Sequence, residues 1–455
     1  MNIYLHVEVA SREFDSKLLL ATIAAARGHQ VILSDLDGIM QGIKNKILAP
    51  GIFHTKSITP SEKKISTLQL AIDNGFKITS IDEESGFADT DYDEFALERF
   101  SEQTVEQASA VLTWGDVDTE ALKRIYPNHS SKIHKTGSPR ADLWGSLFSR
   151  YWTVPQKLPK KPFLLISSNL SNTKHHFHKR FKDYNTAEYF KRNPGKLKYL
   201  FGRTAEDYNN TAAFIEAIKY LSKYNNGYDI VLRPHPIESI EAWNMFLEGI
   251  PNVHVVREGS ITPWIKSSFA IMHNGCTTAL EGTVLEKPVV TYVPFPVYYK
   301  GELPNKLGQR VESVEKLSHV VNTIFDKMKS NNQEGNNKTI PEMFFKKLYI
   351  DNNELAAEKI IKVWEKLDNK ELSQIPNWKK FHRLLKIMKF RRILRNIIKK
   401  LYPYRYINEV DKRKFPQEDI QDFRERATRL QNILGIDKKL EYKLLSDRTI
   451  LVRRL

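Results

Sequence analysis

One cysteine in 455 residues, Cys276, leaves no internal disulfide framework. A lone thiol among scattered histidines also supplies no structural zinc set, and it fits a reducing compartment. Long apolar runs are missing as well. No stretch of about 18 uncharged apolar residues occurs, so no membrane-spanning helix is expected. The opening stretch MNIYLHVEVASREFDSKLLLA is interrupted by His6, Glu8, Arg12, Glu13 and Asp15, so no secretory leader is expected either. Internal repeats with a period of about 20–50 residues are absent, which excludes solenoids and propellers.

What is present is ordinary globular material. Hydrophobic residues make up 41% and aromatics 11%, enough for well-filled cores. The length exceeds a single core, which predicts two domains and an appendage. Charge is unevenly placed: residues 371–455 hold 23 Lys and Arg against 10 Asp and Glu, a balance of +13 out of the chain's +16. The remainder is nearly neutral.

Strand and helix patterns alternate from the start. Strands are expected at Asn2–Val7, Val31–Ser34, Phe76–Ile81, Ala110–Thr113 and Ile133–Thr136, with an amphipathic helix over Ser16–Arg27 stopped by Gly28. A Pro- and Lys-rich break, Trp152–Pro162, reads as a linker. A second series follows, with strands at Phe163–Ser167, Asp229–Leu232, Val253–Val256, Phe269–Met272 and Val289–Tyr292. Asn169–Asn210 reads as a long polar loop or surface insertion, Ser330–Asn337 as a polar loop, and Pro341–Leu367 as a returning helix. Strands separated by helices imply parallel, doubly wound sheets. The expected fold class is α/β, with two facing doubly wound Rossmann-like domains and a basic, largely helical C-terminal extension. The expected domains are an acceptor-side domain at 1–155, a nucleotide-donor domain at 156–330, the returning helix at 331–370 and the extension at 371–455.

Ligands in such folds bind outside the carboxyl ends of the strands, and chemistry-bearing residues gather there. Arg233-Pro234-His235-Pro236 follows one strand, and the prolines hold the imidazole on a stiff extended turn. Arg233 and His235 suit a departing phosphate, or else pair locally with Glu238. His273-Asn274-Gly275-Cys276-Thr277-Thr278 runs from a strand through a loop into a helix start, with Glu281 one turn on. Gly275 admits close backbone approach, Thr277 and Thr278 offer hydroxyls, and Glu281 can accept from a ribose. The plain alternative is a capped helix with His273 in the core. Ser167-Ser168-Asn169 forms another small-residue turn, either phosphate-binding or merely structural. In the first domain Glu83 and Glu84 follow a strand and could act as a general base, or belong to an acidic surface turn running on to Asp89, Asp91, Asp93 and Glu94. Glu8, Arg12 and Glu13, in the first strand–helix loop, hold an acceptor or simply pair at a helix start.

The segment Trp378–Leu401, WKKFHRLLKIMKFRRILRNIIKKL, differs in kind. No acid lies between Glu371 and Glu409, and apolar residues recur at helical spacing. It reads as a cationic amphipathic helix for a membrane surface, or as a helix packed on the body with a solvated basic face. No recognisable nucleic-acid module accompanies it, so nucleic acid is not an expected partner.

Together these segments resemble GT-B glycosyltransferases of bacterial surface polysaccharides, most nearly the surface carbohydrate biosynthesis proteins. The likeness extends to capsule Kdo transferases and bacterial sialyltransferases, which share an acidic-acidic-Gly motif, an HP motif and a Ser/Thr motif. Here these correspond to Glu83-Glu84 before Gly86, His235-Pro236 and Thr277-Thr278. Thr136-Gly137-Ser138-Pro139-Arg140-Ala141-Asp142-Leu143 is similar to a G-x-P-R-x-D segment of such enzymes. Two departures stand out: Ser85 separates the acids from Gly86, and the third motif is Thr-Thr. The resemblance covers residues 1–330 and implies transfer of an acidic sugar from a CMP donor to a glycan or glycolipid acceptor. It also implies no resident cofactor or metal. With the cationic segment Trp378–Leu401, the expected location is peripheral, at the inner face of the cytoplasmic membrane. Glu83 or Glu84 would then be the base and His235 the group at the leaving phosphate. Ser167, Ser168, Thr277, Thr278 and Glu281 would hold the nucleotide. Related alternatives are a neutral NDP-sugar or polyol-phosphate transferase, a sugar-nucleotide epimerase, and a non-catalytic assembly factor.

Overall fold

Apolar runs of four or five residues, each followed by a helix, build two parallel sheets. The structure, a computed structural model, describes residues 1–85, 92–170, 191, 194–236, 238–296, 303–330, 340–351, 353–367, 375–401 and 422–455. These residues form two units, one from 1–85, 92–151 and 345–455 and the other from 152–344.

In the first unit the strands are β1 (Asn2–His6), β2 (Gln30–Ser34), β3 (Ile52–Thr55), β4 (Lys77–Ile81), β5 (Ala110–Thr113) and β6 (Ile133–Lys135). They lie in the order 2-1-3-4-5-6, and every neighbouring pair is parallel. The order reverses between β1 and β3. Strand β3 escaped the sequence reading because its run Ile52-Phe53-His54-Thr55 is short and broken by a histidine. The histidine is nonetheless wholly buried, bonded to Thr79.

In the second unit the strands are β7 (Phe163–Ser167), β8 (Asp229–Arg233), β9 (Val253–Val255), β10 (Ala270–His273), β11 (Val289–Tyr292) and β12 (Gln309–Val311). All neighbours are parallel, and the order 9-8-7-10-11-12 reverses between β7 and β10. This is the doubly wound layout of dinucleotide-binding sheets. One face buries Phe214, Ile218, Leu221, Tyr228, Trp243 and Phe325. Each unit is therefore a doubly wound, Rossmann-like α/β sheet, as expected.

Several local expectations are corrected. The first helix spans Ala10–Ala26 and is buried on nearly every side, not along one stripe. The sheet covers one flank, and helices Pro139–Asp142, Ala356–Leu367 and Phe423–Ile433 pack on it elsewhere. Part of the expected polar loop Asn169–Asn210 is helical, since one helix runs Pro194–Lys223; residues 171–190 are outside the described ones. The returning helix is two helices, Glu342–Lys347 and Ala356–Leu367. Most of the Ser330–Asn337 loop, and Gly86, Asp89 and Asp91, also lie outside the described residues.

The C-terminal segment adds an antiparallel hairpin to the expected helices. Strands β13 (Leu440–Ser446) and β14 (Thr449–Arg454) extend the first sheet, with β14 antiparallel to β2. Ile450, Leu451 and Val452 are buried there. Helix Trp378–Leu401 forms over the expected residues, and Phe381 and Leu385 are buried on the body. No described helix is long and apolar enough to cross a membrane.

Ile450→Ala should therefore cost about 2–5 kcal/mol, the usual loss for a buried large-to-small change. A lowered urea midpoint of the full chain measures it. An unchanged midpoint would mean that β14 is not part of the core.

Candidate functional site

Each unit carries its polar cluster where the strand order reverses, and the two are described separately. In the first unit, the loops after β1, β3 and β4 meet in a network of alternating charge. Glu8, after β1, pairs with Lys56, after β3, across the reversal point. Glu13 is fully buried, accepting from the Glu8 amide at 2.9 Å and from Arg12 at 3.2 Å. Arg12 also lies 3.7 Å from Glu84. Glu8, Arg12 and Glu13 thus come together as a bonded helix-start loop.

The two candidate bases are unlike. Glu83 is buried and paired with buried Lys17 at 2.7 Å, and its carbonyl accepts from Arg140 at 3.2 Å. Burial opposes ionisation of Glu83, but Lys17, Arg140 and Arg12 outweigh it and hold its carboxyl below the usual range. Glu84 has a side chain 34% exposed, with Arg99 at 3.2 Å. Burial again opposes ionisation, and Arg99, Arg12 and Lys56 bring its carboxyl below the usual range. Glu84 is the more exposed of the pair.

Ser85, the residue that departs from the expected motif, has a structural partner. Its buried hydroxyl donates to Asp118, which also pairs with the fully buried Lys347. Burial raises the Asp118 carboxyl despite Lys347 and Ser85. The Thr136–Leu143 segment is likewise structural. Gly137 has φ +81°, and a Cβ there would lie 2.6 Å from the Tyr349 carbonyl oxygen, so only glycine fits. Asp142 accepts from the Ala356 and Ala357 amides at 3.0 and 2.9 Å, capping the helix Ala356–Leu367.

In the second unit three loops converge at the reversal between β7 and β10. Ser167 and His273 are register partners at the strand ends. Beyond them, the Asn169 amide donates to the Gly275 carbonyl at 2.6 Å, crossing the reversal point. Gly275 sits at φ +58° and donates its own amide to Asn305 at 2.6 Å. Asn274 donates to Asn210 at 3.2 Å, and Ser167 lies 3.4 Å from Cys276. Glu238 fastens the third loop: its buried carboxylate accepts from Ser168, the Leu170 amide and Trp243 at 2.7–2.8 Å. Burial raises the Glu238 carboxyl in spite of these bonds.

Arg233 is buried and donates to the Glu258 and Gly259 carbonyls at 2.6 and 2.8 Å, with its guanidinium 5.2 Å from the Trp264 ring centre. Two loop carbonyls thus hold its guanidinium. His235 and Pro236 are half-buried on the turn, and the His235 carbonyl accepts from the Glu238 amide at 2.8 Å. His273 sits in the core. Its Nε2 donates to Thr291 at 3.0 Å while Nδ1 accepts from the Cys276 amide at 3.4 Å, and burial lowers its pKa to about 3, so the ring is neutral. Thr277 is half-buried, and Glu281 is buried one turn into the helix Thr278–Val284. The buried Thr278 hydroxyl has no hydrogen-bond partner among the described residues. No cluster of three or more metal-ligating side chains occurs among the described residues.

Sequence reasoning did not select Lys17, Arg140, Asp118, Lys347, Glu238 as a hub, or Asn305. Lys17 gave one readable signal, a cation directly preceding the largely apolar run Leu18–Ala26. Asn305 gave none.

No protein family matches the sequence, and no curated protein matches it either. Solved structures do align. A UDP-GlcNAc 2-epimerase from Methanocaldococcus jannaschii, in complex with UDP-GlcNAc and UDP, is 13% identical, with 80% of this chain and 100% of that chain covered at a TM-score of 0.47. The UDP-GlcNAc 2-epimerase of Neisseria meningitidis, bound to UDP-GlcNAc, is 13% identical over 81% of this chain and 99% of that one at 0.41. The wall teichoic acid polymerase TagF, soaked with CDPG, is 12% identical over 70% and 74% at 0.37. Identity this low and TM-scores below 0.5 leave the topology of the two sheets as the basis of the fold assignment.

Lys17→Met strands a buried carboxylate and should cost about 3–5 kcal/mol in urea unfolding, with much of it recovered by adding Glu83→Gln. No recovery would show that packing, not charge, is what Lys17 provides. Asp142 gives a pH signature, because burial outweighs its amide bonds and raises it to about 6. Its contribution to stability is complete below the unfolded value of about 3.9 and is lost as pH rises through the folded value. Asp142→Asn removes that slope. Its unfolding free energy relative to wild type should climb by roughly 3 kcal/mol between about pH 4 and pH 7. The lost cap, about 1 kcal/mol, only offsets the curve. Parallel curves would overturn this.

Proposed function

We propose that this protein is a glycosyltransferase whose nucleotide-sugar donor binds at the strand reversal of the second unit and whose acceptor binds on the first. The observation that carries the reading is the Asn169–Gly275 bridge between the loops after β7 and β10. It fixes a left-handed glycine and a small-residue helix start in the crevice where doubly wound sheets bind nucleotides. The Thr278 hydroxyl is the kind of buried, unmatched donor that a bound phosphate or ribose would satisfy.

Roles follow from exposure and chemistry. Glu84 is the base toward the acceptor hydroxyl, because Glu83 is already held by Lys17. A depressed carboxylate is a weak base, which suits proton removal late in bond formation rather than before it. His235, on its proline-flanked turn, faces the leaving phosphate, and Ser167, Ser168 and Asn169 complete the cradle. The donor we favour is a CMP-linked acidic sugar, delivered to a surface glycan. Buried, preorganised donors are the main source of stabilisation for a departing phosphate.

Thermal unfolding of the full chain with CMP, UDP, GDP or CDP tests this. A ligand at about 100 times its Kd should stabilise by roughly 2.7 kcal/mol. Selective response to CMP supports the acidic-sugar donor; UDP or GDP redirects the donor to an ordinary NDP-sugar, and CDP to a polyol phosphate. Thr278→Val should leave the unliganded protein as stable or more so while weakening the best nucleotide at least about tenfold, the scale of one lost hydrogen bond. No response to any nucleotide would overturn the reading. Turnover of a bound nucleotide-sugar without an acceptor would make it an epimerase.

A further inference from the structure

The helix Trp378–Leu401 carries two apolar stripes, not one. At roughly 100° per residue, Trp378, Phe381, Leu384, Leu385 and Met388 share one face. Ile387, Phe390, Ile393, Leu394, Ile397 and Ile398 share another, rotated from the first by roughly 170°. The register change falls at Ile387–Met388, so an amphipathic pattern taken over the whole helix cancels while each half is strongly one-sided.

Among the described residues, the body packs on the first stripe. Phe381 and Leu385 are buried against the helix Leu36–Lys44, where a Cβ on Gly42 would lie 2.9 Å from the Phe381 ring. His382 donates to the Leu445 carbonyl at 2.7 Å, and Arg392 binds Asp447 through two bonds of 2.8 and 3.0 Å. Trp378 is half-buried with this docked half, not presented as an interfacial anchor. The six residues of the second stripe are 42–61% exposed. Soluble proteins seldom leave so continuous an apolar stripe uncovered.

We infer that the distal half, Ile387–Ile398, lies on an anionic lipid surface while the proximal half holds it to the first unit. Charge complementarity selects the occupant. Lys386, Lys389, Arg391 and Arg395 flank the stripe and are exposed, Lys399 and Lys400 follow, and no acid occurs from residue 372 to 408. Among the described residues, the carboxylates paired with the distal half are Asp447 and Asp35, and both engage Arg392 from the body. An apolar stripe bordered by cations on both sides matches the boundary between acyl chains and anionic headgroups. The inference does not depend on the catalytic reading.

Co-sedimentation of the full chain with vesicles tests it, comparing phosphatidylcholine alone with phosphatidylcholine mixed with phosphatidylglycerol. Binding should be at least about tenfold tighter to the mixed vesicles and weaken at high salt. Phe390→Glu, Ile393→Glu and Ile397→Glu combined should lower it at least about tenfold, with the thermal midpoint unchanged because all three side chains are exposed. Equal binding to both vesicle types, or no loss in the triple variant, would overturn the inference. So would a wild-type dimer in light scattering that the triple variant converts to monomer without lipid present, since the stripe would then belong to a second copy.

Discussion

A lysine in the core of the first unit must find a carboxylate, and much of that unit's organisation follows from the one it finds. Lys17 lies on the buried helix behind β1 and meets Glu83 in the loop after β4. Two charges removed from water tolerate no slack: the pair is favourable only in close geometry with its remaining bonding capacity met. Arg140 closes the arrangement by donating to the Glu83 carbonyl, and two residues later Asp142 caps the helix Ala356–Leu367. Four stretches of chain far apart in sequence are thereby keyed to one another. The loop's exposed position, Glu84, inherits a fixed backbone because its neighbour is immobilised.

The second unit reaches the same end largely with side-chain amides. Asn169, Asn274, Asn305 and Glu238 join four segments that follow different strands, and each bond runs between two of them. Loops braced in this way lose little conformational entropy when a ligand arrives, which favours binding over reshaping. His273 contributes through the same logic, as a neutral linker between Thr291 and the Cys276 amide.

Most strands were legible because buried parallel strands read as unbroken apolar runs: β5, β7 and β11 begin and end where the residues imply. Strand β3 was not, since His54 interrupts a four-residue run and nothing local reveals that the imidazole has a buried threonine to bind. β13 and β14 were hidden by composition. Lys443, Arg453 and Arg454 make their segment look like a basic tail, yet Ile450 to Val452 lie against β2. The candidate sites were legible as places but less so as roles. Strand ends mark the crevice, whereas the partner that holds Glu83 or Arg233 comes from elsewhere in the chain. Backbone carbonyls such as those of Glu258 and Gly259 leave no trace in residue identity.

The pairing of β14 with β2 has a temporal side. Everything the second unit needs, residues 152–344, has been synthesised before β13 and β14 exist. At ordinary elongation rates the interval is on the order of ten seconds, long compared with the folding of a small α/β domain. During it, β2 stands as an open sheet edge, the element most prone to recruit a foreign strand. The nascent chain is thus exposed at β2 for as long as β14 is unmade, and chaperone dependence would concentrate in that interval.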